Sequence, residues 1–191
     1  MRGSEFSSAL CAAALWTALA PQAGAAGSYV ADTGSSRLEW SGVQAGAEFK
    51  GVFHKFTAAV DFAPESLSSA KIDVTIDMSS EDTMDKDRDG TIRGADIFDI
   101  ARFPSAHYLA RNFTKTAAGY SATGSLTLRG VTKEVPIAFK FAPGAGGGAT
   151  LTGTAELKRL DFGVGQGDWK STEWVADAVK VAFTLNLKAA L

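Results

Sequence analysis

Apolar and polar residues alternate with period two through most of the chain. Ile72, Val74, Ile76 and Met78 are separated by Asp73, Thr75 and Asp77. Val135, Ile137, Phe139 and Phe141 are separated by Pro136, Ala138 and Lys140. Val179, Val181, Phe183, Leu185 and Leu187 alternate with Lys180, Ala182, Thr184, Asn186 and Lys188. Shorter runs of the same kind hold Leu38 and Trp40; Phe56, Ala58, Val60 and Phe62; Leu126 and Leu128; and Leu151, Ala155 and Leu157. Successive side chains of a strand point to opposite faces, so each run presents one apolar face. Turn chemistry separates the runs at Ala63-Pro64-Glu65, at Arg129-Gly130 and across the Gly-rich residues 143–148. The spacing predicts eight or nine short antiparallel strands in an all-β sandwich or up-and-down barrel. Residues 79–104 are too polar and too charged for a strand. They are predicted to form a long connection capping one end of the core and holding the one short helix, over 91–100.

The first 25 residues stand apart from this pattern. Residues 9–20 are apolar and uncharged but too short to span a bilayer, and Pro21 and Ala23-Gly24-Ala25 supply a small-x-small cleavage signature. The expectation is a signal peptide over 1–25, whose first six residues read as a replaced natural start, and a single secreted domain over 26–191. The alternative is a buried N-terminal helix. Cys11, the one cysteine, lies in this leader, so the mature domain is expected to carry neither disulfide nor thiolate chemistry. A net charge of −2 offers nothing to nucleic acid or to an anionic membrane surface.

Twelve phenylalanines and four tryptophans are many for a β domain of this size. They either fill the core or line a cavity, since an eight-stranded barrel has room for side chains or for one small ligand. Composition leaves both open.

The sharpest local pattern is the run 85–96. Asp85, Asp87 and Asp89, then Gly90, Ile92 and Asp96, match the ligand spacing of an EF-hand calcium loop. Against it stand the shorter Asp at the twelfth place, the positive charges of Lys86, Arg88 and Arg93, and a preceding strand where a helix should be. No metal is the expectation, with a calcium-binding scaffold on Asp85, Asp87, Asp89 and Asp96 as the alternative. Gly163-Val164-Gly165-Gln166-Gly167 is glycine-rich, but it leads to Trp169 and Trp174 rather than into a helix, which fits a loop at a barrel mouth better than a phosphate cradle. His54 and His107 are the only histidines. They offer too few ligands for zinc and, without a nucleophile elbow, only weak support for a lipid hydrolase.

From about Ser28 to Ala190 the chain resembles the YceI-like family of periplasmic polyisoprenoid-binding proteins. The resemblance rests on Tyr29-Val30-Ala31-Asp32 with Ser35 to Trp40, Gly51-Val52-Phe53 with Phe56, and Ser79-Ser80-Glu81-Asp82-Thr83. It continues through Arg88-Asp89, Arg93, Asp96, Phe98-Asp99 and Phe103-Pro104, then Gly124 to Val135, Asp161 to Gly165, and Val175-Ala176-Asp177. Two departures fall where the cap is expected: Gly90-Thr91-Ile92 before Arg93, and Ile97-Phe98 where two phenylalanines are usual. The resemblance implies a single eight-stranded, lipocalin-like barrel with an apolar lumen for an isoprenoid quinone such as ubiquinone, or for a polyprenyl phosphate. It implies no catalysis and no cofactor beyond the bound lipid. The Gly163 to Trp169 run is similar to the branch associated with b-type cytochromes of the membrane, which favours a quinone and such a cytochrome as partner. The protein is then a periplasmic monomer or homodimer. The lumen is expected to be lined by Trp40, Phe49, Phe53, Phe62, Ile76, Ile137, Phe139, Val181 and Phe183, with Phe98, Trp169 and Trp174 near its opening.

Overall fold

The structure is a computed structural model that describes residues 27–190. The expected leader and Cys11 lie outside the described residues. In chain order the strands are β1 (Gly27–Ala31), β2 (Arg37–Gln44), β3 (Ala47–Phe53), β4 (Phe56–Phe62), β5 (Lys71–Asp77) and β6 (Glu81–Asp82). Helix α1 (Lys86–Arg93) follows, then β7 (Ser105–Thr116), β8 (Gly119–Leu128), β9 (Val131–Pro143), β10 (Ala149–Lys158) and β11 (Ala178–Ala189).

Three pairs of these segments are single strands broken by a short irregularity. Along β11, Tyr29 to Ala31 of β1 face Ala189 to Leu187, and Arg37 to Ser41 of β2 continue against Thr184 to Lys180. β4 and β3 run end to end along that composite strand, and β5 and β6 along the next. Counted so, the chain is an antiparallel meander of eight strands closed by β11 against β1. Local hydrogen bonds hold the breaks. Ser80 receives the Lys55 N–H on its hydroxyl (3.0 Å) and donates to the Asp77 carbonyl (2.7 Å), while the Asp32 carbonyl accepts from Ser36 N (2.9 Å).

Two tight hairpins follow from local chemistry. Arg129 and Gly130, with φ of 50° and 75°, join β8 to β9. Ala45 and Gly46, with φ of 50° and 78°, join β2 to β3. Both central positions are left-handed, the turn whose twist matches that of paired strands.

Residues 79–104 do hold the one α-helix among the described residues, but it spans Lys86–Arg93 rather than the expected 91–100. Asp85 fixes its start, its carboxylate accepting from the N–H groups of Asp87 and Arg88 at 3.1 Å each. Gly94 stands at its end. An aspartate at that position satisfies orphan helix donors.

The strands turn their alternating apolar face inward, and one half of the interior is solid. Phe62 is 1% exposed and meets Tyr120 and Phe141 at ring-centroid distances of 4.9 Å, Phe139 at 5.4 Å and Phe113 at 6.1 Å. Tyr29 closes the cluster against Phe141 at 5.7 Å. The two lumen residues Phe62 and Phe139 therefore belong to a packed plug and not to a ligand wall. They lie where β4, β7 and β9 and the starts of β1 and β8 bring four further rings, those of Tyr29, Phe113, Tyr120 and Phe141, into one cluster. Phe62→Ala is expected to destabilise the barrel by about 3–5 kcal/mol, the range for emptying a packed aromatic site. Denaturant unfolding measures this, with lipid content as a control for the other half.

Candidate functional site

The other half of the barrel is hollow. A cavity of about 220 Å³ lies between β2, β3, β4, β5, β7, β8, β9, β10 and β11 and beneath two loops, 83–104 and 159–177. Of the expected lumen residues, Trp40, Phe49, Phe53, Ile76, Phe98, Ile137, Val181 and Phe183 line it. The wall is otherwise almost all aliphatic and aromatic, and three polar side chains reach it: Trp40, Tyr108 and Arg159.

The two loops form a roof, and they are bonded to each other and to the walls. From the first loop, Ile92, Ile97 and Phe98 face the cavity. The Phe98 ring lies 6.3 Å from that of Phe53. The Asp96 carbonyl accepts from Gly165 N (3.0 Å) and Gln166 N (2.7 Å) of the second loop. Arg129, in the β8–β9 turn, donates to the Ala95 carbonyl at 2.7 Å. The second loop is wound around Arg159, which is 5% exposed. Its guanidinium donates to the carbonyls of Ala176 (3.0 Å), Val164 (3.0 Å), Trp169 (2.6 Å), Ser171 (3.2 Å) and Val175 (2.8 Å). An arginine has five N–H donors, and here each finds a carbonyl. Burial pulls its pKa below the ordinary arginine value, partly offset by Asp177.

The second polar group under the roof is Glu81. It is fully buried and its carboxylate oxygens have no hydrogen-bond partner among the described residues. Arg93 donates to the Glu81 carbonyl, and its Nε stands 3.8 Å from the carboxylate. Beside them Asp89, 7% exposed, accepts from Thr83 N (2.8 Å) and Thr83 Oγ1 (2.6 Å). Burial, reinforced by the Asp89 charge and only partly opposed by Arg93, pushes the Glu81 carboxyl up to about 7.

Two residues expected near the opening are absent from the cavity wall. Trp174 is 69% exposed at the rim, next to the β2–β3 hairpin, where its carbonyl accepts from Ala45 N at 2.7 Å. Trp169 is half-buried in the second loop, and its carbonyl serves Arg159. Neither lines the cavity; what this stretch of the loop turns towards Arg159 is its backbone, through the carbonyls of Trp169 and Val175. The aspartates of the calcium reading are spent separately: Asp85 caps α1, Asp89 holds Thr83, and Asp96 contributes a backbone carbonyl to the roof. Among the described residues no three His, Cys, Asp or Glu side chains gather as a metal site. The histidines stay outside the cavity wall. His54 Nε2 lies 3.1 Å from Asp82, and His107 Nε2 lies 2.8 Å from Asp73, whose pKa is held low chiefly by Lys71.

Sequence reasoning missed Arg159, Glu81 and Tyr108. Tyr108 at least alternates with Ala106 and Ala110 on one apolar face; nothing local marks Arg159 or Glu81 as buried.

Glu81 makes stability depend on pH in a defined direction. Its folded pKa lies above its unfolded value of 4.5. The stability linked to its protonation is therefore complete below about pH 4.5 and is lost as pH rises through about 7. Glu81→Gln, which cannot ionise, is expected to leave the melting temperature near pH 4 almost unchanged. Near pH 8 it should raise the melting temperature by about 3–6 °C. Calorimetry across that range checks both.

Comparison with known proteins agrees with this architecture. The chain is 32% identical over 119 residues to a UPF0312 protein of Yersinia pestis (strain Pestoides F), a match covering 60% of this chain and 62% of that one. The chain thus spans less than two thirds of that relative's length. The crystal structure of Burkholderia cenocepacia BcnA superposes with a TM-score of 0.77 at 32% identity, covering 83% of this chain and 99% of that one. A polyisoprenoid binding domain from Saccharophagus degradans, implicated in plant cell wall breakdown, shares the fold with a TM-score of 0.64 at 16% identity, over 85% of this chain and 98% of that one. The YceI-like domain model matches residues 29–187, nearly every residue of the barrel, and the chain belongs to the YceI-like family.

Proposed function

We propose that this protein is a non-catalytic carrier that takes the tail of an isoprenoid lipid into the hollow half of its barrel. The observation that carries the reading is the division of the interior: a solid aromatic plug at one end, and at the other a roofed, apolar cavity. A polyisoprenoid-binding relative with the same fold supports the ligand class. A quinone is favoured over a polyprenyl phosphate by the Gly163 to Trp169 run, with a membrane b-type cytochrome as partner. The leader-like start of the chain fits a periplasmic site of action.

The energetics suit exchange rather than capture. Each buried methylene is worth about 0.8 kcal/mol against water. A tail of about forty carbons, fully sequestered, would pass the ceiling of roughly 18–21 kcal/mol on non-covalent affinity. Measured against a bilayer, the same tail only trades one apolar medium for another. A carrier of this kind lowers the barrier to crossing water and still gives up its cargo.

The test is mass spectrometry of organic extracts from protein purified out of a quinone-making host. A stoichiometric isoprenoid lipid is expected, and an extract without long-chain lipid from several such hosts overturns the reading. Val181→Arg, which sets a charge on the cavity wall, is expected to lower bound lipid at least about tenfold while leaving the far-ultraviolet circular dichroism of the barrel unchanged.

A further inference from the structure

An apolar lumen explains why a hydrocarbon tail enters, but the polar groups on its wall say more about the cargo. Three side chains there carry hydrogen-bond donors. Arg159 has spent all five of its N–H groups on backbone carbonyls of the roof. The Tyr108 hydroxyl donates to the Val135 carbonyl at 3.0 Å. Trp40 differs: its Nε1 is shielded from water and, among the described residues, has no acceptor.

The indole is also held in place. Its ring meets Phe49 edge-to-face at a centroid distance of 5.4 Å. On the other side it lies across Gly51, its cross-strand partner in β3. A Cβ on that glycine would come within 2.5 Å of Trp40 Nε1 and Cε2, so any side chain there displaces the ring. A bare glycine and an edge-on phenylalanine thus seat a tryptophan whose N–H is left dry. A buried donor left unpaired carries a desolvation cost that a ligand oxygen recovers.

We infer that Trp40 is a specificity residue of the lipid site: its indole N–H donates to an oxygen of the cargo, so the cargo bears an acceptor oxygen that is drawn inside the barrel. The inference rests on the carrier reading and deepens it. The ligand is a headgroup-bearing isoprenoid whose polar end, a quinone carbonyl in the favoured case, goes under the roof.

The experiment compares two probes of matched branched chain, a geranylgeranyl-tailed benzoquinone and the hydrocarbon phytane, on delipidated full-length protein. Trp40→Phe keeps an aromatic ring and removes the donor. The quinone is expected to bind the variant about 3- to 10-fold more weakly, the range for losing one neutral hydrogen bond, with phytane unaffected. In the unsubstituted protein the Trp40 indole N–H resonance, assigned by its absence from the variant, is expected to move downfield with the quinone and not with phytane. If both probes bind and neither the affinity difference nor the selective shift is seen, Trp40 is only a wall residue and the inference fails while the carrier reading stands. If neither probe binds the unsubstituted protein, the carrier reading itself fails, and the inference with it.

Discussion

Closing eight antiparallel strands on themselves fixes the width of the interior before any side chain is chosen. Each strand contributes every second residue to that interior, so what fills it depends on the size of those residues level by level. Around Phe62, large rings arrive from β1, β4, β7, β8 and β9 together and pack edge to face or tilted at 4.9–6.1 Å. Towards the roof the inward positions hold Ile76, Ile137, Val181 and Leu157, which leave the centre free. The same geometry and the same alternation thus give a core at one end and a container at the other.

The two ends are also held by different forces. Dispersion and apolar burial secure the plug. Over the container, closure falls to irregular backbone, and irregular backbone buried from water needs partners for its polar groups. Arg159 supplies five at once, converting a loop of turns into a rigid cover from a single side chain. Asp85, Asp89 and Arg129 do similar service for the first loop. Glu81 is the exception, a carboxylate with charged neighbours but no hydrogen bond of its own among the described residues. It places one ionisable weakness at the joint between the cover and the wall.

The period-two runs made the strands and their inward faces readable from the sequence, down to the ring of Phe53, Ile137, Val181 and Phe183. The alternation is local, and burial on one face is its direct cause. Which inward residue meets the plug and which meets the cavity is a matter of height along the barrel, set by strand stagger across pairs far apart in sequence. Phe62 and Phe139 were therefore indistinguishable from Phe53 and Phe183 until the register was known. The run from Asp85 to Asp96 was ambiguous for a related reason. Aspartate caps helices, holds turns and binds cations through the same oxygens, and only the fold decides among these uses. Arg159 carried no local signal, since a buried arginine looks like an exposed one until its carbonyl partners are assembled around it.

The interruption of β5 and β6 has a consequence beyond the site. β6 is two residues long and pairs with β3 alone, so its far edge has no strand beside it. The next strand, β7, starts only after the segment that carries α1, and α1 packs against β6. An unpaired edge is a template on which another chain can add a strand. Brevity and a helical cover remove that template here, so this gap in the wall gives neighbouring copies nothing to zip onto.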